Sequence, residues 1–305
     1  MKKSSATSNE AEKSCDGSCD SCDERGSCDD PRASEATGRM ARIRYKILVG
    51  SGKGGVGKST VSANLAVALK RRGYRVGLLD ADITGPDIPK LLGIEDVRLL
   101  SGPYGIEPAD AEGIKVVSMA LLLENRNSAV VWRGPMKMAA IKQFLSDVNW
   151  GDLDFLIVDL PPGTSDEPLS AVQLIPDLSG AIVVTTPQEV ALLDSRKAVN
   201  MFQMMKVPML GIVENMSGLI CPHCGERIEI FKSGGGKRAA EELGVNFLGA
   251  IPLDPEVGSL ADQGVAFAGR ETMVQEPFDE IVSRIVEMLS MQKPVLENIV
   301  ENRKI

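Results

Sequence analysis

The run Gly52-Lys53-Gly54-Gly55-Val56-Gly57-Lys58-Ser59 fits the spacing G-x-x-x-x-G-K-[ST]. Residue types in this order can hold phosphate. Glycines let successive backbone N–H groups turn inward, and the helix that follows adds the partial positive charge of its N-terminus. Lys58 is placed to contact the β- and γ-phosphates of a nucleotide, and the Ser59 hydroxyl to ligate Mg²⁺. Thr60 extends this nucleotide-binding run. The overlapping Gly50-Ser51-Gly52-Lys53-Gly54-Gly55 also fits G-x-G-x-x-G, and Asp80 ends the next apolar run as a ribose acceptor would. That dinucleotide pattern leaves Gly57, Lys58, Ser59 and Asp159 without a task. The phosphate-loop pattern uses them all.

Cysteines form a second group. Four lie within fourteen residues, Cys15, Cys19, Cys22 and Cys28, and two more form one CxxC, Cys221 and Cys224. With no export signal the expected compartment is reducing, which argues against disulfides and for metal ligation. Thiolates are soft ligands that favour zinc or iron–sulfur clusters, and spacing alone does not separate the two. Cys221 and Cys224 supply half of a four-coordinate site. Two subunits meeting there would complete it. A zinc knuckle finished by the tail cysteines is the competing arrangement. His223, the chain's one histidine, reads as a solvated loop residue.

The 305-residue chain is 43% hydrophobic, enough to bury one large α/β core. A net charge of −8 and a pI near 5.0 argue against broad binding to nucleic acid or anionic membranes. The polar N-terminus has no apolar signal core, and no run approaches the roughly 20 apolar residues of a membrane span. A cytoplasmic protein is the expectation.

These residues need elements to hold them. Residues 1–39 are rich in Ser, Asp and Cys and read as a flexible metal-binding tail. Residues 40–292 read as one domain, and 293–305 as a loose C-terminal tail. Within the domain, short apolar runs at 46–49, 76–79, 116–119, 155–158, 181–184, 210–213 and 247–251 alternate with segments of helical length. Those segments are 58–72, 136–148, 189–205 and 237–243, with a final amphipathic helix at 272–291. Continuous apolar strands alternating with helices predict a doubly wound, mainly parallel sheet covered on both faces.

Lys53, just after the first glycine, is not needed by an ordinary phosphate loop. Lys53-Gly54-Gly55-Val56-Gly57-Lys58 resembles the deviant Walker A family, which includes MinD, ParA and the nitrogenase iron protein. The resemblance runs along most of 42–290. It implies that Lys53 reaches the nucleotide across a dimer interface. Leu79-Asp80-Ala81-Asp82 is similar to the family's second acidic motif. Segments 83–89 and 159–164 are similar to its two switches, and Asn215 in Val213-Glu214-Asn215-Met216-Ser217 is matched to the residue that faces adenine. With Cys221-Pro222-His223-Cys224, these motifs resemble the Mrp-type iron–sulfur carrier ATPases. Cys19-x2-Cys22-x5-Cys28 resembles the N-terminal tail of their eukaryotic cytosolic branch. Cys15 stands closer to Cys19 than in that branch, and Asp87 stands where many relatives carry Ser.

The resemblance implies slow ATP turnover that changes dimer geometry, a [4Fe–4S] cluster on the cysteines, a homodimer or related heteromer, and apo-iron–sulfur proteins as clients. An attacking water needs an acceptor near the γ-phosphate. Asp82, read as ending the second strand, is the expected one. Asp80 and Asp159 are expected around Mg²⁺. The expected catalytic pair is therefore Lys53 and Asp82, with no nucleic-acid or membrane partner. The alternative reading is a MinD/ParA-like positioning ATPase with a structural zinc site. Its membrane or DNA signal is missing from the terminal segment, where Arg303 and Lys304 are offset by Glu297 and Glu301.

Overall fold

The computed structural model describes residues 38–102, 105–123, 132–221 and 223–291. Cys15, Cys19, Cys22, Cys28 and the segment 293–305 lie outside the described residues.

In chain order the elements are β1 (Ile43–Ser51), α1 (Lys58–Arg71), β2 (Val76–Asp80), α2 (Ile88–Leu91), β3 (Leu100–Gly102), β4 (Gly105–Glu107), β5 (Ala109–Ala111) and β6 (Ile114–Ser118). There follow α3 (Gly134–Ser146), β7 (Leu153–Asp159), α4 (Asp166–Leu174), β8 (Gly180–Thr185), α5 (Glu189–Met204) and β9 (Met209–Ile220). The chain continues through β10 (Arg227–Ile228), α6 (Gly235–Leu243), β11 (Phe247–Leu253), α7 (Pro255–Asp262) and α8 (Gln275–Met291).

A nine-stranded sheet has the order β10-β9-β8-β1-β7-β2-β6-β5, with β11 also paired to β9. Its central pairs are parallel, and only β5 and β10 join antiparallel. All seven predicted strands are present. β6 stops at Ser118, so Met119 opens a short 3-10 turn instead of closing the strand. The three-residue strands β3, β4 and β5, the two-residue β10 and the helices α2, α4 and α7 were not predicted. The strands and α2 are too short to show a hydrophobic period.

Both faces are covered, which explains the unbroken apolar runs. On one face Ile47, Val49, Ile157 and Ile182 pack with Leu65 and Leu69 of α1 and Phe278, Ile281 and Ile285 of α8. On the other, Leu48, Leu156, Val158 and Val183 pack with Phe144 of α3, Val172 of α4 and Val199 and Phe202 of α5. Sandwiching the sheet this way aligns the C-terminal ends of β1, β2 and β7 along one edge. In the doubly wound arrangement that edge is where ligands bind.

Candidate functional site

The phosphate loop leaves β1 and enters α1 at that edge. Gly57 is the residue before the helix, with φ 82, a left-handed conformation that favours glycine. A Cβ there would also collide with the Asn215 side-chain amide, which donates to Val56 O at 2.9 Å. Gly52 packs directly on the backbone of α5 at Asp194 and Ser195, where a side chain has no room. The loop is thus wedged between the backbone of α5 at Asp194 and Ser195 and the Asn215 side chain of β9. It encloses a cavity of about 500 Å³ lined by Lys53, Gly54, Gly55, Lys58, Asp82 and Asp87, among others.

Lys58 Nζ lies 2.6 Å from Asp159 Oδ2 and 3.2 Å from Ser59 Oγ. Ser59 donates to the same Asp159 oxygen at 2.7 Å, and Ser62 to Oδ1 at 2.6 Å. Asp159 ends β7 and pairs in register with Asp80, which ends β2. Asp80 is fully buried and accepts from Ser118 Oγ at 2.9 Å and from Asp82 N at 3.2 Å. Burial, with Asp159 alongside, pushes the Asp80 carboxyl well above the usual aspartate range. Burial raises Asp82 and Asp87 too, and nearby Lys58 opposes it. β2 ends at Asp80, so Asp82 does not close the strand as expected. It sits two residues further on, in a turn that it braces by accepting Gly85 N at 3.1 Å. The turn still carries Asp82 to the cavity wall.

Ser59 Oγ, Asp159 and Asp80 form a set of hard oxygens within one small volume. That donor set suits Mg²⁺, which prefers oxygen ligands and carboxylates shared with phosphate.

A second cavity, about 300 Å³, adjoins the first and shares Gly57, Thr60, Met216 and Ala261 with it. Its walls are largely apolar, and Asn215 lies at its edge. Dimensions and polarity suit a nucleobase.

Beyond Asn215, β9 bends. Met216 and Gly218 both have positive φ, 57 and 73, and the pairing with β11 slips there. The strand then runs to Cys221 in a tight turn closed by Gly225 N donating to Cys221 O at 2.9 Å. Cys221 is half-buried and Cys224 exposed, and both are free thiols. Backbone N–H groups of Cys224 and His223 donate to Cys221 and hold its thiol below the usual cysteine value. Among the described residues no third His, Cys, Asp or Glu joins them to complete a metal site.

Three residues escaped sequence reading. Glu214, fully buried, accepts from Ser217 Oγ, Gly234 N and Gly236 N, so it closes the excursion that carries the CxxC. This cap explains why α6 starts at Gly235, two residues before the predicted helix. Lys137 of α3 bridges Thr84 at 2.8 Å and Glu167 at 2.7 Å, joining the first switch-like segment to the start of α4, just after the second. Asp254 lines the apolar cavity. Only the Val213–Ser217 motif gave a local signal, and it pointed to Asn215 instead of its neighbour.

A doubly wound sheet with this loop at its C-terminal edge defines a P-loop nucleoside triphosphatase. The chain belongs to the ParA-type family described as the NUBPL iron-transfer P-loop NTPases, whose profile matches residues 42–288. It is 49% identical over 286 residues to an "iron-sulfur cluster carrier protein" of Methanocaldococcus jannaschii, covering 92% of this chain and 99% of that one. It is 48% identical to a "cytosolic Fe-S cluster assembly factor NUBP2 homolog" of Dictyostelium discoideum, over 75% of this chain and 88% of that one. A solved nucleotide-binding protein of Archaeoglobus fulgidus in complex with ADP superposes with a TM-score of 0.68. It is 41% identical, over 76% of this chain and 91% of that one. No helix among the described residues is long and apolar enough to cross a membrane.

Proposed function

We propose that this protein is an ATP-driven carrier that holds a [4Fe–4S] cluster as cargo and hands it to apo-proteins. One observation supports the reading above others. A single strand, β9, touches the phosphate loop through Asn215 and six residues later presents Cys221. Nucleotide and cargo would share one rigid element.

In this reading Gly52, Gly54, Gly55, Val56, Gly57 and Thr60 wrap the phosphates with backbone N–H groups, and Lys58 neutralises their charge. Ser59, Asp80 and Asp159 would hold Mg²⁺, which draws charge off the β- and γ-phosphate oxygens. Asp82 accepts a hydrogen bond from the attacking water and so orients it. Lys53 acts across a homodimer interface, and turnover is slow. Cys221 and Cys224 of two subunits give four thiolates for a transferable cluster. Cys15, Cys19, Cys22 and Cys28 hold a second on an arm of residues 1–39, ahead of the nucleotide-binding body 40–292 and a terminal tail 293–305.

The test is anaerobic purification of the full chain, followed by its absorption spectrum, iron and sulfide content, and ATP-dependent transfer to an apo-ferredoxin. Iron, sulfide and transfer are expected. Zinc without iron would overturn the reading.

A further inference from the structure

The edge of the sheet opposite the phosphate loop carries a charged cavity of about 450 Å³. It lies between the end of α1, the turn that joins β5 to β6 and the chain that leads from α7 to α8. Lys70, Arg71 and Arg270 line it, and Glu112 is the one acid among the described residues of its walls. Two glycines fix where the cations lie. A Cβ at Gly113 would meet the Lys70 ammonium, and one at Gly269 the Arg71 guanidinium. None of the three cationic side chains has a hydrogen-bond or ion-pair partner among the described residues. A helix C-terminus favours Lys70 and Arg71. It does not account for Arg270, which lies on a loop, nor does it fill the donor forks of the two arginines.

We infer that this cavity docks residues 16–30 of the chain's own N-terminal arm. That segment carries six carboxylates, Asp16, Asp20, Asp23, Glu24, Asp29 and Asp30, against Arg25 alone. Sheet order brings the two within reach. Ile43 of β1 pairs with Leu153 of β7, and Val76 of β2 pairs with Phe155 of β7 and with Ile114 of β6. The root of the arm and the Ile114 wall of the cavity thus lie at one sheet edge, three strand spacings or about 15 Å apart. Met40 packs against the other face of the sheet, so the arm must pass under that edge, roughly 10 Å more. The 14 residues from Asp23 to Thr37 extend to about 46 Å. Single exposed ion pairs are weak, but tethering makes the encounter intramolecular, so several weak pairs suffice. The docked arm is held about 30 Å, the length of β1, from the edge where β9 presents Cys221. The inference goes beyond the carrier reading and stands on charge and reach, whatever the arm carries.

The experiment is zero-length carbodiimide cross-linking of the full chain, purified anaerobically, with the joined peptides mapped by mass spectrometry. Lys70 is the reporter, since arginine does not react. A link from Lys70 to a carboxylate of 16–30 is expected, and its yield is expected to fall roughly fivefold from about 0.05 to about 0.5 M salt. Arg71→Glu combined with Arg270→Glu is expected to reduce it as much, with Tm within a few degrees, because both side chains are exposed. If that reversal lowers Tm further, Arg71→Gln with Arg270→Gln removes the charge alone and is expected to reduce the link about twofold. A link from Lys70 to Glu112 with none to the arm would overturn the inference. So would arm links spread over the other lysines that both pairs of substitutions leave unmoved. A mixture of unlabelled and isotope-labelled chains separates links within a chain from links between chains. Links found only between chains would overturn docking of the arm on its own body.

Discussion

Lys58 and Asp159, 101 residues apart, meet as a buried ion pair, with side chains 7% and 0% exposed and N–O separation 2.6 Å. The lysine that should bind phosphate and the carboxylate that should serve Mg²⁺ are held together by the order of the sheet. β1 and β7 are neighbours, so the residues that follow and end them converge. Removing one partner of such a pair leaves the other charged and buried, which typically costs about 3–5 kcal/mol. Here Ser59 and Ser62 also donate to Asp159 and soften the loss.

Lys58→Ala is therefore expected to abolish ATP binding and to lower Tm. Lys53→Ala is expected to keep ATP affinity within a few-fold and to lose hydrolysis and ATP-linked dimerisation. Lys53 makes no ion pair among the described residues and lines the cavity mouth, consistent with a role toward a second subunit. Equilibrium nucleotide binding and turnover on both variants test the division. Equal loss of binding would refute it.

Cys221→Ser and Cys224→Ser are each expected to block cluster delivery to an apo-ferredoxin. Either change leaves two of four thiolates across a dimer, and serine oxygen is a poor replacement. ATP affinity should persist, because the phosphate loop lies on other elements. Normal transfer by both variants would make the pair structural.

Glu214→Gln is expected to destabilise the protein by about 2–3 kcal/mol, since an amide cannot accept all the N–H and O–H donors aimed at that carboxylate. Because Glu214 anchors both ends of the cysteine excursion, alkylation of Cys221 and Cys224 should also accelerate. A lower Tm with unchanged alkylation would limit Glu214 to capping α6.

Burial holds the Lys46 ammonium below its usual value of 10.5, against a smaller pull upward from Asp177. The charged form is thus disfavoured in the fold. The penalty is complete below the folded pKa and is relieved as pH rises from there toward 10.5. Lys46→Met is expected to raise Tm by roughly 2–4 °C at pH 7, with the gain shrinking as pH approaches that value. A gain that does not change with pH would assign it to packing.

Motifs made of consecutive residues were legible in the sequence. Gly52 to Ser59 name a backbone path, and a path is local. The seven strands were legible because burial on both faces demands unbroken apolar runs. The CxxC was legible because ligand spacing is short. Tertiary structure alone decided which distant groups became partners. Glu214 sits inside a recognisable motif, yet two of its three donors, Gly234 and Gly236, come from the far end of a loop. Lys137 holds two partners, Thr84 and Glu167, that lie 53 and 30 residues away. Asp254 stands out only when the walls around it close and leave one oxygen without a donor among the described residues. Such relationships depend on sheet order and on helix packing, and no local spacing encodes them.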